Sequence, residues 1–233
     1  ECREFSADVV VGIGGGSVLD AAKAIAGLLL CPNSVMDFLE GVGPELPLTS
    51  PTVPFIAVPT TAGTGSEATK NAVLTRIGPE GFKKSFRDER LVAEWALVDP
   101  DLLQGCPRPL IAANGMDALT QLLESFVSLR ANPWTDGLLI TGLEAVGRGL
   151  KIWYENPEDE AARAQMAYGA LISGICLAQT GLGSVHGLAQ PLGSFHAVPH
   201  GVACGIVLPA ATDVNLKALE SREDGVAGLA RYA

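Results

Sequence analysis

Short, uninterrupted apolar runs mark the first hundred residues. Val9-Val10-Val11-Gly12-Ile13 and Pro54-Phe55-Ile56-Ala57-Val58 lack the alternation of a half-exposed strand and read as strands buried on both faces, as in a parallel sheet. Ala96-Leu97-Val98 is a shorter third strand. The Ala- and Leu-rich stretch from Val18 to Leu30 lies between the first two and reads as the crossover helix of a βαβ unit. Beyond Cys106 the apolar period becomes helical. Pro107 to Leu129, Pro133 to Trp153, Pro157 to Gln179 and Gly201 to Leu219 are long apolar-periodic stretches, and three open on a proline suited to a first helical turn. No strand pattern survives there, which puts a boundary between Cys106 and Pro109.

Composition narrows the picture. Of 233 residues, 48% are hydrophobic and 18% charged, which excludes a disordered chain. A net charge of −10 argues against a nucleic-acid partner, which would need a basic surface. The longest apolar run, Ala24 to Cys31, falls well short of a membrane span, and no basic amphipathic stretch suggests a membrane surface. Five widely spaced cysteines without a C-x-x-C pair read as reduced thiols, small core residues in a cytoplasmic protein. Glu1 is not Met, and the first strand follows almost at once. That abrupt start points to a fragment of a longer chain.

Two loops carry ligand chemistry. Gly12-Ile13-Gly14-Gly15-Gly16-Ser17 joins the first strand to the first helix. Its glycines let backbone approach a ligand, and the helix start offers unpaired N–H groups to an anion. Ser17 is placed to cap the helix, with Asp20 completing a capping-box-like pattern. The second loop, Pro59 to Glu67, follows the second strand with four hydroxyls and two glycines. Two such loops after neighbouring parallel strands would share the carboxyl edge of the sheet, where open α/β folds bind ligands.

All three histidines, His186, His196 and His200, fall in one turn-rich segment. Asp117 and Gln121 are spaced i, i+4, so both side chains share a helix face. A carboxylate with two imidazoles suits Zn²⁺ or Fe²⁺.

These motifs, in this order, resemble the iron-containing (group III) alcohol dehydrogenase family. The resemblance rests on Gly14 to Lys23, Pro59 to Glu67, Asp99-Pro100, Gly115 to Thr120, and Val185 to Gly201. It implies an α/β, Rossmann-like nucleotide-binding domain with a parallel sheet over 1–106, then an all-helical metal-binding domain over 107–233, each lacking a terminal part. The cofactor, NAD or NADP, is expected on Gly15, Gly16 and Ser17, with Asp20 beside them. Thr60, Thr61, Thr64 and Ser66 are expected at the nicotinamide half and Lys83 at a ribose. The family's metal positions map onto Asp117, Gln121, His186 and His200 for Fe²⁺ or Zn²⁺. Gln121 stands where a histidine is usual, and Gln190 where a further histidine often follows the third ligand. His186 and His200 are the expected catalytic histidines, with His196 a substitute in proton relay.

The implied activity is hydride transfer between a small alcohol or aldehyde and a nicotinamide cofactor, by a cytoplasmic homo-oligomer. Two rivals share the layout. A metal-independent reductase resembling maleylacetate reductase is favoured by the two glutamines, while retention of Asp117, His186 and His200 speaks against it. A lyase resembling dehydroquinate synthase would need Lys and Arg around the metal, and Gly181 to Gly201 contains neither.

Overall fold

The computed structural model describes residues 2–76, 81–196 and 198–233, with the side chain of Ser194 left aside. Strands β1 (Val10–Gly14), β2 (Phe55–Pro59) and β5 (Trp95–Ala96) form a parallel sheet in the order β1-β2-β5. Helix α1 (Gly16–Leu28) is the crossover from β1 to β2 and packs on both. Leu19, Ala22 and Ala26 on α1 meet Val53, Phe55 and Ala57 in one apolar cluster.

The expectation that β1 is buried on both faces is corrected. Gly12 is buried, but Val11 and Ile13 are 51% and 62% exposed, because α1 covers one face and no described element covers the other. β2, the central strand, is the better-buried one.

A second sheet is an antiparallel pair, β3 (Asn71–Arg76) and β4 (Phe82–Arg87), which sequence reading did not assign. The alternation in β4 is real. Phe82 and Phe86 join the core with Ala24, Leu39 and Leu91, while Lys83, Ser85 and Arg87 line a cleft on the opposite face.

From Arg108 onward the described chain is helical: α2 (Arg108–Phe126), α3 (Pro133–Glu155), α4 (Glu160–Thr180), α5 (Ser184–Phe195), α6 (His200–Glu220) and the short α7 (Val226–Leu229). α3 starts as expected, with Pro133 in its first turn and Asn132 and Thr135 forming a reciprocal cap. α4 begins three residues later than Pro157, because Asp159 accepts from the Ala162 amide as its cap. Ile111, Leu122, Leu139, Trp153 and Met166 are almost wholly buried where α2, α3 and α4 meet.

Two further expectations change. The segment His186 to His200, read as turn-rich, is mostly helix α5, with Pro191 accommodated inside it. The longest apolar run is also not the most membrane-like stretch: scattered polar residues interrupt any continuous run in α6. α6 is long and apolar enough to cross a membrane by length and composition, but here it packs on α2 and α5.

Candidate metal centre and cofactor cleft

The register pairs Gly14 with Pro59, so the two Gly/Thr loops leave neighbouring parallel strands at the same carboxyl edge. They also touch. A Cβ on Gly16 would lie 2.6 Å from the Thr64 side chain, and one on Gly15 would lie 3.2 Å from Thr61. The loop is held from behind by Gly65, at φ +60°, whose own Cβ would fall 2.4 Å from Gly174 of α4. Glycine is required there twice over, by backbone conformation and by close approach.

The helix cap expected at Ser17 is corrected. The N-cap is Gly15, without a side-chain cap, and Ser17 lies exposed in the first turn of α1. Asp20 faces inward instead. It accepts from the Ser66 hydroxyl and lies 3.5 Å from Lys23 Nζ. Lys23 is wholly buried and donates to Ser66 O, Ser66 Oγ, Thr69 Oγ1 and Asn71 O at 2.7–3.1 Å. Burial weakens both charges, lowering the Lys23 ammonium and raising the Asp20 carboxyl, while their mutual attraction opposes it. This lysine fastens α1 to the second loop and to β3.

α2, α5 and α6 bring the second constellation together. Asp117 Oδ1 lies 3.3 Å from His186 Nε2, 3.8 Å from His200 Nε2 and 3.7 Å from Cys204 Sγ. Cys204 Sγ lies 3.8 Å from each imidazole Nε2. One ligand atom from each of these four residues falls within 4.8 Å of all the others.

His186 is oriented by Glu124, which accepts from its Nδ1 at 2.6 Å and from the Val185 amide at 2.7 Å. That leaves Nε2 turned toward Asp117, the arrangement that fixes a metal-binding imidazole. Burial opposes charge on His186, yet hydrogen bonds to Asp117, Cys204 and Glu124 raise it to about 11. Burial is the largest single influence and would push up the Asp117 and Glu124 carboxyls, but the hydrogen bonds and charge of His186, joined by His200 and Lys83 at Asp117 and by the Gly183 and Val185 backbone at Glu124, together hold both below their ordinary values. His200 is held low, first by burial and then by Lys83 and His186, against the pull of Asp117. Burial raises the Cys204 thiol.

Gln121 is buried one turn beyond Asp117, and its Oε1 accepts from Ser173 Oγ at 2.7 Å. His196 is exposed at the end of α5 and is not among the residues lining the cleft. Gln190 Nε2 donates to Lys83 O at 3.4 Å, linking α5 to β4. Sequence reading passed over Cys204 as core filler. Its i, i+4 spacing from His200 was the available signal.

A cleft of about 220 Å³ connects the two constellations, lined by Asp20, Thr64 and Ser66 at one end and by Asp117, Gln121, His186 and His200 at the other. Lys83 and Arg87 of β4 form its cationic wall. The donor set passes a simple fit test for a divalent metal. Bonds of about 2.0–2.3 Å in a tetrahedron place ligand atoms about 3.3 to 3.8 Å apart. The five separations above run from 3.3 to 3.8 Å.

Comparison with known proteins agrees with this architecture. Residues 1–100 match the family model for iron-containing alcohol dehydrogenase, and residues 111–231 match the model for the C-terminal part of the same family. The chain belongs to the iron-containing alcohol dehydrogenase family. It is 39% identical to long-chain-alcohol dehydrogenase 1 of Geobacillus thermodenitrificans, over 89% of this chain and 51% of the relative. It is also 39% identical to lactaldehyde reductase of Escherichia coli, over 89% of this chain and 53% of the relative. Sulfoacetaldehyde reductase from Bifidobacterium kashiwanohense, solved with NAD⁺, superposes with a TM-score of 0.86 at 34% identity, covering 92% of this chain and 56% of that one. The chain spans about half the length of the curated relatives it matches.

Proposed function

We propose that this chain carries the cofactor loops and metal centre of an oxidoreductase that moves a hydride between a small alcohol or aldehyde and NAD or NADP. One observation carries the reading: the Asp117, His186 and His200 cluster opens into the same cleft as Thr64 and Ser66 of the second loop, which packs against Gly15 and Gly16 of the first. The relative named a lactaldehyde reductase supports a small substrate, the long-chain-alcohol dehydrogenase supports alcohol chemistry more broadly, and the NAD⁺ complex of a structural relative supports the cofactor.

In this reading residues 1–106 belong to the cofactor domain and residues 107–233 to the metal domain. Gly15, Gly16 and Ser17 receive the pyrophosphate at the start of α1. Thr60, Thr61 and Thr64 offer hydroxyls toward the nicotinamide half, and Lys83 its ammonium toward a ribose. Asp20 and Ser66 line the cleft beside Thr64, within reach of the cofactor, and also brace the loop through Lys23.

Asp117, His186 and His200 would hold Zn²⁺ or Fe²⁺, which supplies Lewis acidity toward the substrate oxygen. Glu124 keeps the Nε2 of His186 available for that role. The cationic wall of Lys83 and Arg87 draws anionic groups into the cleft. The free thiols and the relatives' small substrates fit a cytoplasmic enzyme, and a homo-oligomer is the assembly we expect.

The metal-independent reductase stays as a second reading because Gln121 has its amide oxygen engaged by Ser173. Hydride transfer itself is tested with a carbinol-deuterated primary alcohol and NAD⁺. The proposal expects deuterium on the nicotinamide ring of the product, and label in water alone would overturn it.

A further inference from the structure

Three of the four converging donors are a carboxylate and two imidazoles. The fourth is a thiol, and its place in the fold is specific. Cys204 lies one turn after His200 on α6, as Gln121 lies one turn after Asp117 on α2. Each pair shares a helix face and could offer two ligands to one point. The two helices then differ. Gln121 gives its oxygen to Ser173 Oγ, at 2.7 Å, and an amide oxygen is a neutral, weak donor. Cys204 Sγ sits 3.7–3.8 Å from Asp117 Oδ1, His186 Nε2 and His200 Nε2, and the four atoms all lie within 4.8 Å of one another, close to the spacing of a tetrahedral site.

We propose that Cys204 is the fourth protein ligand of the metal, so that the centre is Asp117, His186, His200 and Cys204, and that this centre selects Zn²⁺ over Fe²⁺. The inference rests on the metal-dependent reading above and deepens it. Charge supports it. Asp117 is 3% exposed and Cys204 wholly buried, and a carboxylate with a thiolate matches the charge of a divalent cation among the directly bonded groups. Softness supports the metal preference, because thiolate favours Zn²⁺ over the harder Fe²⁺. On binding, the Cys204 thiol proton leaves to solvent and an Sγ–metal bond takes its place. No electron transfer is involved.

The test replaces the metal with Co²⁺, which reports sulfur ligation as a charge-transfer absorption in the near ultraviolet. The purified protein loaded with Co²⁺ should show that band, and Cys204→Ser loaded in the same way should lack it. Zinc affinity, measured by competition with a chromophoric chelator, should fall at least about tenfold in Cys204→Ser. Zinc should also outcompete ferrous iron in the wild type. A Co²⁺-loaded wild type without the band overturns the proposal, as does a Cys204→Ser variant with unchanged affinity. Because the wild-type spectrum decides by itself, a poorly folding variant leaves the test intact. Protein that takes up neither Zn²⁺ nor Co²⁺, and whose turnover ignores chelators, overturns the metal-dependent reading itself, a result distinct from metal bound without sulfur.

Discussion

At the scale of single residues, His186 is the most heavily constrained group in the site, bonded to Glu124 through Nδ1 and to Asp117 through Nε2. Glu124→Gln would replace a charged acceptor by a neutral one and let the ring turn. Metal affinity should fall about 10- to 100-fold, as measured by competition titration, with little change in cofactor binding. The same contacts set a pH dependence. In metal-free protein His186 is raised from 6.5 to about 11, so its stabilising contribution is complete below about pH 6.5 and is lost as pH rises toward 11. Asp117 and Glu124 have the opposite sign. Both are depressed, so their contributions are present above their ordinary values near 4 and are lost as pH falls through the folded ones. Thermal melts of the metal-free protein should therefore show Tm falling from pH 7 to pH 10. Because a metal must displace the Nε2 proton, affinity should rise with pH over that range. A flat affinity profile would mean that His186 is not a ligand.

At the scale of elements, the site depends on how the second loop is clamped between α1 and α4. Gly65→Ala puts a Cβ into backbone at a positive φ, and neither Gly65 nor Gly174 has a flexible side chain to yield. It should cost about 2–4 kcal/mol and weaken cofactor binding as well, since the loop must move. Lys23→Met keeps the length of the side chain but strips the donors from Ser66 O, Thr69 Oγ1 and Asn71 O. Chemical denaturation should register a loss of about 3 kcal/mol. These elements also show what the sequence could reveal. β2, α1, α2 and α3 follow from apolar runs, helical period and proline starts, because burial on a regular face leaves a periodic trace. β4 escaped because its cleft face carries Lys83, Ser85 and Arg87, so a strand at a functional site reads as a charged loop. α5 escaped because Gly187, Pro191 and Gly193 argue locally against a helix that packing against α6 holds in place. Asp117, His186 and His200 were legible as donors. The part played by Cys204 was not, since only the crossing of α2, α5 and α6 brings its sulfur to theirs.

At the scale of the whole molecule, a parallel sheet supplies two Gly/Thr loops in contact, the helices bring four potential metal donors together, and in the proposed reading the cleft that Thr64 and Ser66 share with Asp117, His186 and His200 is where both parts would act on one substrate. The two parts should separate under mutation. His200→Ala removes an imidazole on α6 and leaves the contact between Gly16 and Thr64 untouched, so it should abolish turnover while cofactor affinity stays within about twofold. Gly16→Val should do the reverse, raising the cofactor dissociation constant about tenfold or more while metal content is unchanged. The central claim is that a metal held in this cleft is required for hydride transfer. The most direct measurement is NAD(P)H-linked turnover of a small aldehyde by one preparation, followed through chelation and metal replacement, with metal content determined at each stage. The account predicts that activity falls in step with bound metal, returns on adding Zn²⁺ or Fe²⁺, and never appears in His200→Ala. Metal-free wild type that turns over at the full rate, matched by His200→Ala, would contradict it.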